Sequence, residues 1–178
     1  MEEDVKREWR DVRLSTIGSH DYEDIYSGRC RTALENLAGR YKRFAIIGLM
    51  FVIWAPLTFY NPEIQIDNRL TIIIFSSIYF LTCGLMDLWL YRGIRSIDCA
   101  SMTIKEVATR ALFYRKRHLQ FIAILLPFAF IWIGILCYNL CDNTAFLWGV
   151  GLGALAGFAI GIRQLIKFLA DYRKITEE

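Results

Sequence analysis

Residues 119–170 read LQFIAILLPFAFIWIGILCYNLCDNTAFLWGVGLGALAGFAIGIRQLIKFLA. Between His118 and Arg163 the one charged residue is Asp142, in the segment Cys141-Asp142-Asn143-Thr144. A bilayer hydrocarbon core of about 30 Å needs about 20 apolar helical residues. Each flank of Cys141–Thr144 meets that length, and a four-residue joint is about the shortest that connects antiparallel helices. A soluble helix would place polar side chains on every turn. These two blocks do not, so the stretch predicts a transmembrane hairpin.

The rest of the chain repeats the pattern. Of 178 residues 55% are apolar and 22% charged, above the apolar share of about 45–50% usual for a soluble domain. The two kinds are segregated into blocks. Residues 44–60 (FAIIGLMFVIWAPLTFY) and 70–91 (LTIIIFSSIYFLTCGLMDLWLY) form a second hairpin pattern. Its first block is short, with Trp54, Phe59 and Tyr60 suited to an interface and Asn61-Pro62 marking the turn. The fold expected is all-α: an integral membrane four-helix bundle of two antiparallel hairpins, with amphipathic helical extensions. Its parts are an N-terminal segment 1–43, a hairpin 44–91, a linker and helix 92–118, a hairpin 119–170 and a tail 171–178. Nothing in residues 1–43 reads as a cleaved signal, and neither end carries a lipidation motif.

Basic residues set the expected orientation. Residues 1–43 carry nine Lys and Arg, 61–69 one, 92–118 seven, 141–144 none, and four lie from Arg163 onward. All but Arg69 therefore fall on one side. Positive charge marks the cytoplasmic face, which puts both termini there and leaves little outside.

Two cytoplasmic stretches have helical apolar faces. Residues 31–43 align Ala33, Leu34, Leu37, Ala38 and Tyr41 and end in Arg40-Tyr41-Lys42-Arg43. The second begins at a capping box, Thr103 with Glu106, and aligns Ile104, Val107, Ala108, Ala111 and Leu112 before Tyr114-Arg115-Lys116-Arg117-His118. The order apolar face, basic cluster, proline-containing span, second span occurs twice, compatible with an internal duplication or with convergent juxtamembrane chemistry. The basic residues Arg40, Lys42, Arg43, Arg115, Lys116 and Arg117 suit anionic lipid headgroups, at about 1 kcal/mol each, or an acidic cytoplasmic protein partner. Acidic residues balance residues 1–14, so nucleic-acid binding is not expected. Val5, Trp9 and Val12 make a short stripe there, and residues 15–28 read as a linker or a recognition segment.

The last span holds Gly149, Gly153, Gly157 and Gly161 at four-residue spacing. In lipid, close backbone approach drives helix association, so this face is expected either to pack inside the bundle or to join copies in a homo-oligomer. Ser76, Ser77 and Gly84 offer a small-residue surface for the internal case. Asp87 and Arg163 lie at similar depth, about 26 Å from the outer ends at 1.5 Å per residue. They are a candidate intramembrane ion pair, the alternative being Arg163 reaching the headgroups and Asp87 pairing locally.

No catalytic constellation is present. His20 and His118 have no carboxylate or Cys at metal-ligand spacing, and neither a phosphate loop nor a nucleophile elbow occurs. No cofactor is expected. Cys30, Cys83, Cys99, Cys137 and Cys141 form no CxxC, and an odd count argues against a disulfide framework.

The segments DCASMTIKEVATRALFYRKRHLQ (98–120) and ALENLAGRYKRF (33–44) resemble uncharacterised four-span inner-membrane proteins of Bacteroides-type bacteria, of the kind found beside genes for extracytoplasmic-function sigma factors. The resemblance implies a bacterial inner-membrane location and a regulator holding a partner through its cytoplasmic segments. No zinc-type anti-sigma motif accompanies it. The function expected is a non-enzymatic membrane scaffold or regulatory anchor, the alternative being a small oligomeric transporter or channel subunit.

Overall fold

A computed structural model describes residues 19–60, 68–99, 101–139 and 144–176. The described residues fold into four helices: α1 (Ser19–Phe59), α2 (Arg69–Arg95), α3 (Ile104–Asn139) and α4 (Thr144–Thr176). All four are long and apolar enough to cross a membrane. At 1.5 Å per residue, the 41 residues of α1 extend about 60 Å, twice the hydrocarbon thickness. α1 is thus longer than a single membrane crossing requires.

Two helices run farther than the expected spans. Residues 19–28, in the stretch expected as a linker or a recognition segment, are helical: α1 runs unbroken from Ser19 through the expected first span. The first proline of the chain is Pro56, so nothing upstream removes a backbone donor, and Thr32 Oγ1 donates to Gly28 O at 2.9 Å across the glycine. Residues 171–176 likewise continue α4, with Asp171, Tyr172 and Ile175 buried, because the apolar spacing Phe168, Tyr172, Ile175 carries past the span. The stripe at Val5, Trp9 and Val12, and the turns at Asn61-Pro62 and Cys141–Asn143, lie outside the described residues.

Helix starts follow local chemistry. Thr103 and Glu106 close the capping box: the Glu106 amide donates to Thr103 Oγ1 at 3.3 Å, and the Thr103 amide to Glu106 Oε2 at 3.2 Å. Asn68 precedes α2 with φ 56°, a left-handed conformation that Asn tolerates. Its carbonyl accepts from the Thr71 amide at 2.9 Å.

Packing is uneven along the helices. α1 and α2 lie against each other over most of their length, while α2–α3, α3–α4 and α4–α1 touch more locally. Gly48 of α1 against Gly84 of α2, and Cys30 of α1 against Cys99 just beyond the end of α2, fix an antiparallel register. The larger core joins one end of all four helices: Cys30, Ala33, Leu34, Leu37 and Tyr41 with Leu90, Ile94 and Ile97, Val107 and Ala111, and Phe168, Tyr172 and Ile175. The smaller one, at the opposite end, comprises Ala55, Phe59, Ile72 and Leu136. The expected apolar face of α1 is thus the core face. In α3 the stripe narrows to Val107 and Ala111, with Ile104 and Leu112 exposed.

Candidate functional site

The polar interactions between helices concentrate at the larger core. Tyr41, on the apolar stripe of α1, reaches the middle of it. Its hydroxyl is hydrogen-bonded to His118 Nδ1 of α3 and lies 3.1 Å from the Tyr172 hydroxyl of α4. Phe168 packs on both Tyr41 and His118, with ring centroids 4.7 and 4.8 Å apart. One phenol thereby ties three helices, and a buried hydroxyl is favourable only where partners of this kind satisfy it.

Beside it Asp171, 4% exposed, faces two cations. Arg40 Nη2 lies 3.1 Å from its Oδ2 and Lys174 Nζ 3.4 Å from its Oδ1. The Arg40 guanidinium also lies over the Phe168 ring, 5.7 Å from its centroid. Arg40, expected at headgroups or a partner, is instead engaged within the fold. Lys42, Arg43, Lys116 and Arg117 are exposed, and Arg115 is half-buried. Arg117 lies over Phe113 at 5.3 Å and donates to Gln120 Oε1 at 3.3 Å.

Two recesses open next to this core. The larger, about 1130 Å³, lies between the start of α1 and the α2–α3 connection. Arg31, Glu35, Arg95, Asp98 and Lys105 supply its charges, and Leu34, Ile97 and Val107 its apolar floor. Arg31 pairs with Glu35 at 3.1 Å. The smaller, about 240 Å³, lies between α2 and α3 and is lined by Tyr79, Cys83, Asp87, His118 and Phe121 among apolar residues.

Among the described residues Asp87 makes no ion pair with Arg163: Asp87 is half-buried in the α2–α3 recess, and Arg163 is exposed on α4. Equal depth placed the two at one level but on different faces. The glycine expectation changes also. At Gly149, Gly153, Gly157 and Gly161 an added Cβ would meet nothing within 4 Å, so this face does not pack inside the fold. The close approach between helix backbones is at Gly48, where a Cβ would lie 3.0 Å from Gly84 Cα, while Gly93 is covered by the Tyr114 ring of α3. Gly84 therefore serves α1, and Ser76 serves α3: Trp132 Nε1 donates to Ser76 Oγ at 2.9 Å.

The Tyr41–His118–Tyr172 cluster and the role of Asp171 were not read from the sequence. Tyr41 showed in the α1 stripe, but His118 read as the end of a basic cluster and Asp171 as part of a tail. Spacing relates residues on one helix, and these partners lie 77 and 131 positions away. No group of three or more His, Cys, Asp or Glu that could hold a metal ion occurs among the described residues. No protein-family model, curated protein or solved structure matches the chain.

Proposed function

We propose that the chain is a non-enzymatic anchor of a bacterial inner membrane, a four-helix bundle of two antiparallel hairpins that holds a partner protein on its cytoplasmic side. The observation that carries this reading is the position of the larger core. It gathers where the helices carry their basic residues, with only Leu90 and Phe168 of it inside the apolar blocks, and it bears the larger, charged recess. A chain that served only to fill the bilayer would need no four-helix core outside it. The charge asymmetry supports a cytoplasmic place for both termini, and the resemblance to four-span proteins encoded beside sigma-factor genes supports a regulatory role. Lys42, Arg43, Lys116 and Arg117 then face anionic headgroups.

The test is crosslinking in native membranes followed by purification and mass measurement of the complex. Wild type should yield a complex with one defined partner. Glu35→Lys and Lys105→Glu, charge reversals at exposed recess residues, should lose it while inserting normally. Equal recovery of that partner with both variants would overturn the reading. Reporter fusions at each terminus check the orientation; an external signal from either end refutes it.

A specific observation favours a second reading, an oligomeric transporter or channel subunit. The glycine face of α4 is open along four turns, as a homo-oligomer interface would leave it in one copy. A monomeric mass in mild detergent at membrane-like protein-to-lipid ratios counts against it; a defined oligomer that Gly153→Leu dissociates supports it.

A further inference from the structure

Cys30 and Cys99 come from elements 69 residues apart, yet their sulfur atoms lie 2.6 Å from each other. Cys30 sits on the core face of α1 and is fully buried, whereas Cys99 is half-buried in the connection between α2 and α3 and lines the larger recess. A metal does not explain the pair. Two thiolates on one tetrahedral zinc, at about 2.3 Å each, would stand roughly 3.8 Å apart, and no third ligand group is present among the described residues. Ordinary packing does not either, since sulfur atoms in plain contact stay farther apart. A bond of about 2.05 Å needs only a shift of about half an ångström.

We propose that Cys30 and Cys99 form a reversible dithiol–disulfide site whose co-substrate is a low-molecular-weight disulfide. The difference in exposure sets the order of events. The Cys99 thiolate attacks one sulfur of the small disulfide, forming a mixed disulfide and releasing one thiolate, which takes up the proton that Cys99 lost. The Cys30 sulfur, as thiolate, then attacks the Cys99 sulfur and releases the second thiol. One small disulfide is reduced to two thiols, and two cysteine thiols become one protein disulfide. The bond would join α1 to the α2–α3 connection along the wall of the recess. Oxidation would thus fix the two elements that frame the recess, and reduction would free them. The site rests on sulfur geometry alone and holds whichever face of the membrane the recess occupies.

The experiment uses the full chain in detergent, fully reduced and then incubated with oxidised glutathione. Free thiols are counted by maleimide mass shift, and crosslinked peptides are read by mass spectrometry. Wild type should lose two thiols and give one crosslinked peptide pair, Cys30 with Cys99, reversed by excess reduced thiol. Cys30→Ser should stop at a stable glutathione adduct on Cys99. Cys99→Ser should lose no thiol at position 30, because the buried sulfur cannot be reached. Cys83→Ser should oxidise as wild type. Absence of the Cys30–Cys99 peptide from oxidised wild type would overturn the proposal, as would an adduct on Cys30 rather than Cys99.

Discussion

Gly48→Ala tests the backbone-to-backbone contact between α1 and α2. A Cβ added at Gly48 would lie 3.0 Å from Gly84 Cα, 3.0 Å from Gly84 N and 3.4 Å from Phe80 O. Carbon pairs rest at about 3.5–4.0 Å, so α1 and α2 must separate locally by roughly half to one ångström. The obstructing atoms are backbone, which cannot swing aside as a side chain would. Overpacking of this kind costs about 1–3 kcal/mol. Alanine also gains about 1 kcal/mol over glycine within a helix, which would mask part of the effect. Gly134→Ala removes that ambiguity, because Gly134 is helical and a Cβ there meets nothing within 4 Å. The difference between the two variants isolates the steric cost, and Gly48→Ala should be less stable by about 1–3 kcal/mol. Reversible unfolding with dodecyl sulfate in mild detergent, followed by circular dichroism, measures it. If Gly48→Ala matches or exceeds Gly134→Ala, the α1–α2 contact is not the tight one and the reasoning fails.

Three further perturbations address the ends of the helices. Asp171→Asn leaves Arg40 without its carboxylate. A fully buried pair costs about 3–5 kcal/mol to break, and with the Arg40 side chain 25% exposed the expected loss is about 1–3 kcal/mol, read as a lower unfolding midpoint. Tyr41→Phe keeps the ring packing but removes the hydroxyl shared by His118 and Tyr172; a loss of about 1–2 kcal/mol is expected, and an unchanged midpoint would show that the hydroxyl contributes nothing. Thr103→Ala removes the cap of α3 at about 1 kcal/mol, so amide exchange should quicken over the first turn of α3 and stay unchanged in α1.

The four helices were legible because apolar length and charge segregation are properties of a single segment. So was the inward face of α1, where Ala33, Leu34, Leu37 and Tyr41 recur at helical spacing and are all buried. What spacing cannot supply is the neighbour. Gly84 was marked as a surface for close approach, but the glycine that meets it is Gly48 on α1 rather than the stripe on α4. Asp87 and Arg163 share a depth but not a face. Asp171 read as a tail residue because its cross-helix partner, Arg40, gives no signal of pairing until α1 and α4 are side by side. The Cys30–Cys99 approach is the same case: no motif spacing links them, and an odd cysteine count argued against pairing.

On the proposed anchoring in a membrane, the uneven packing follows from the change of solvent along each helix. Where a helix lies in water, apolar side chains gain about 25 cal/mol for each Å² withdrawn from it, and that gain gathers Leu37, Ile94, Val107 and Ile175 into a common core. Inside a bilayer the alternative neighbour is an acyl chain, equally apolar, so the gain vanishes and only close backbone fit or a hydrogen bond holds helices together. Within the apolar blocks both kinds occur, Gly48 on Gly84 and Trp132 to Ser76, beside the small apolar core of Ala55, Phe59, Ile72 and Leu136. α4 has neither over its apolar length: Leu152, Leu155, Phe158 and Ile160 are exposed beside the open glycines. It is joined to the others chiefly through Phe168, Asp171 and Tyr172. A helix whose fully buried residues all lie at one end is the element that lipid or a second apolar helix would cover at least cost, and loosening that end with Asp171→Asn should release α4 before α1 and α2 part.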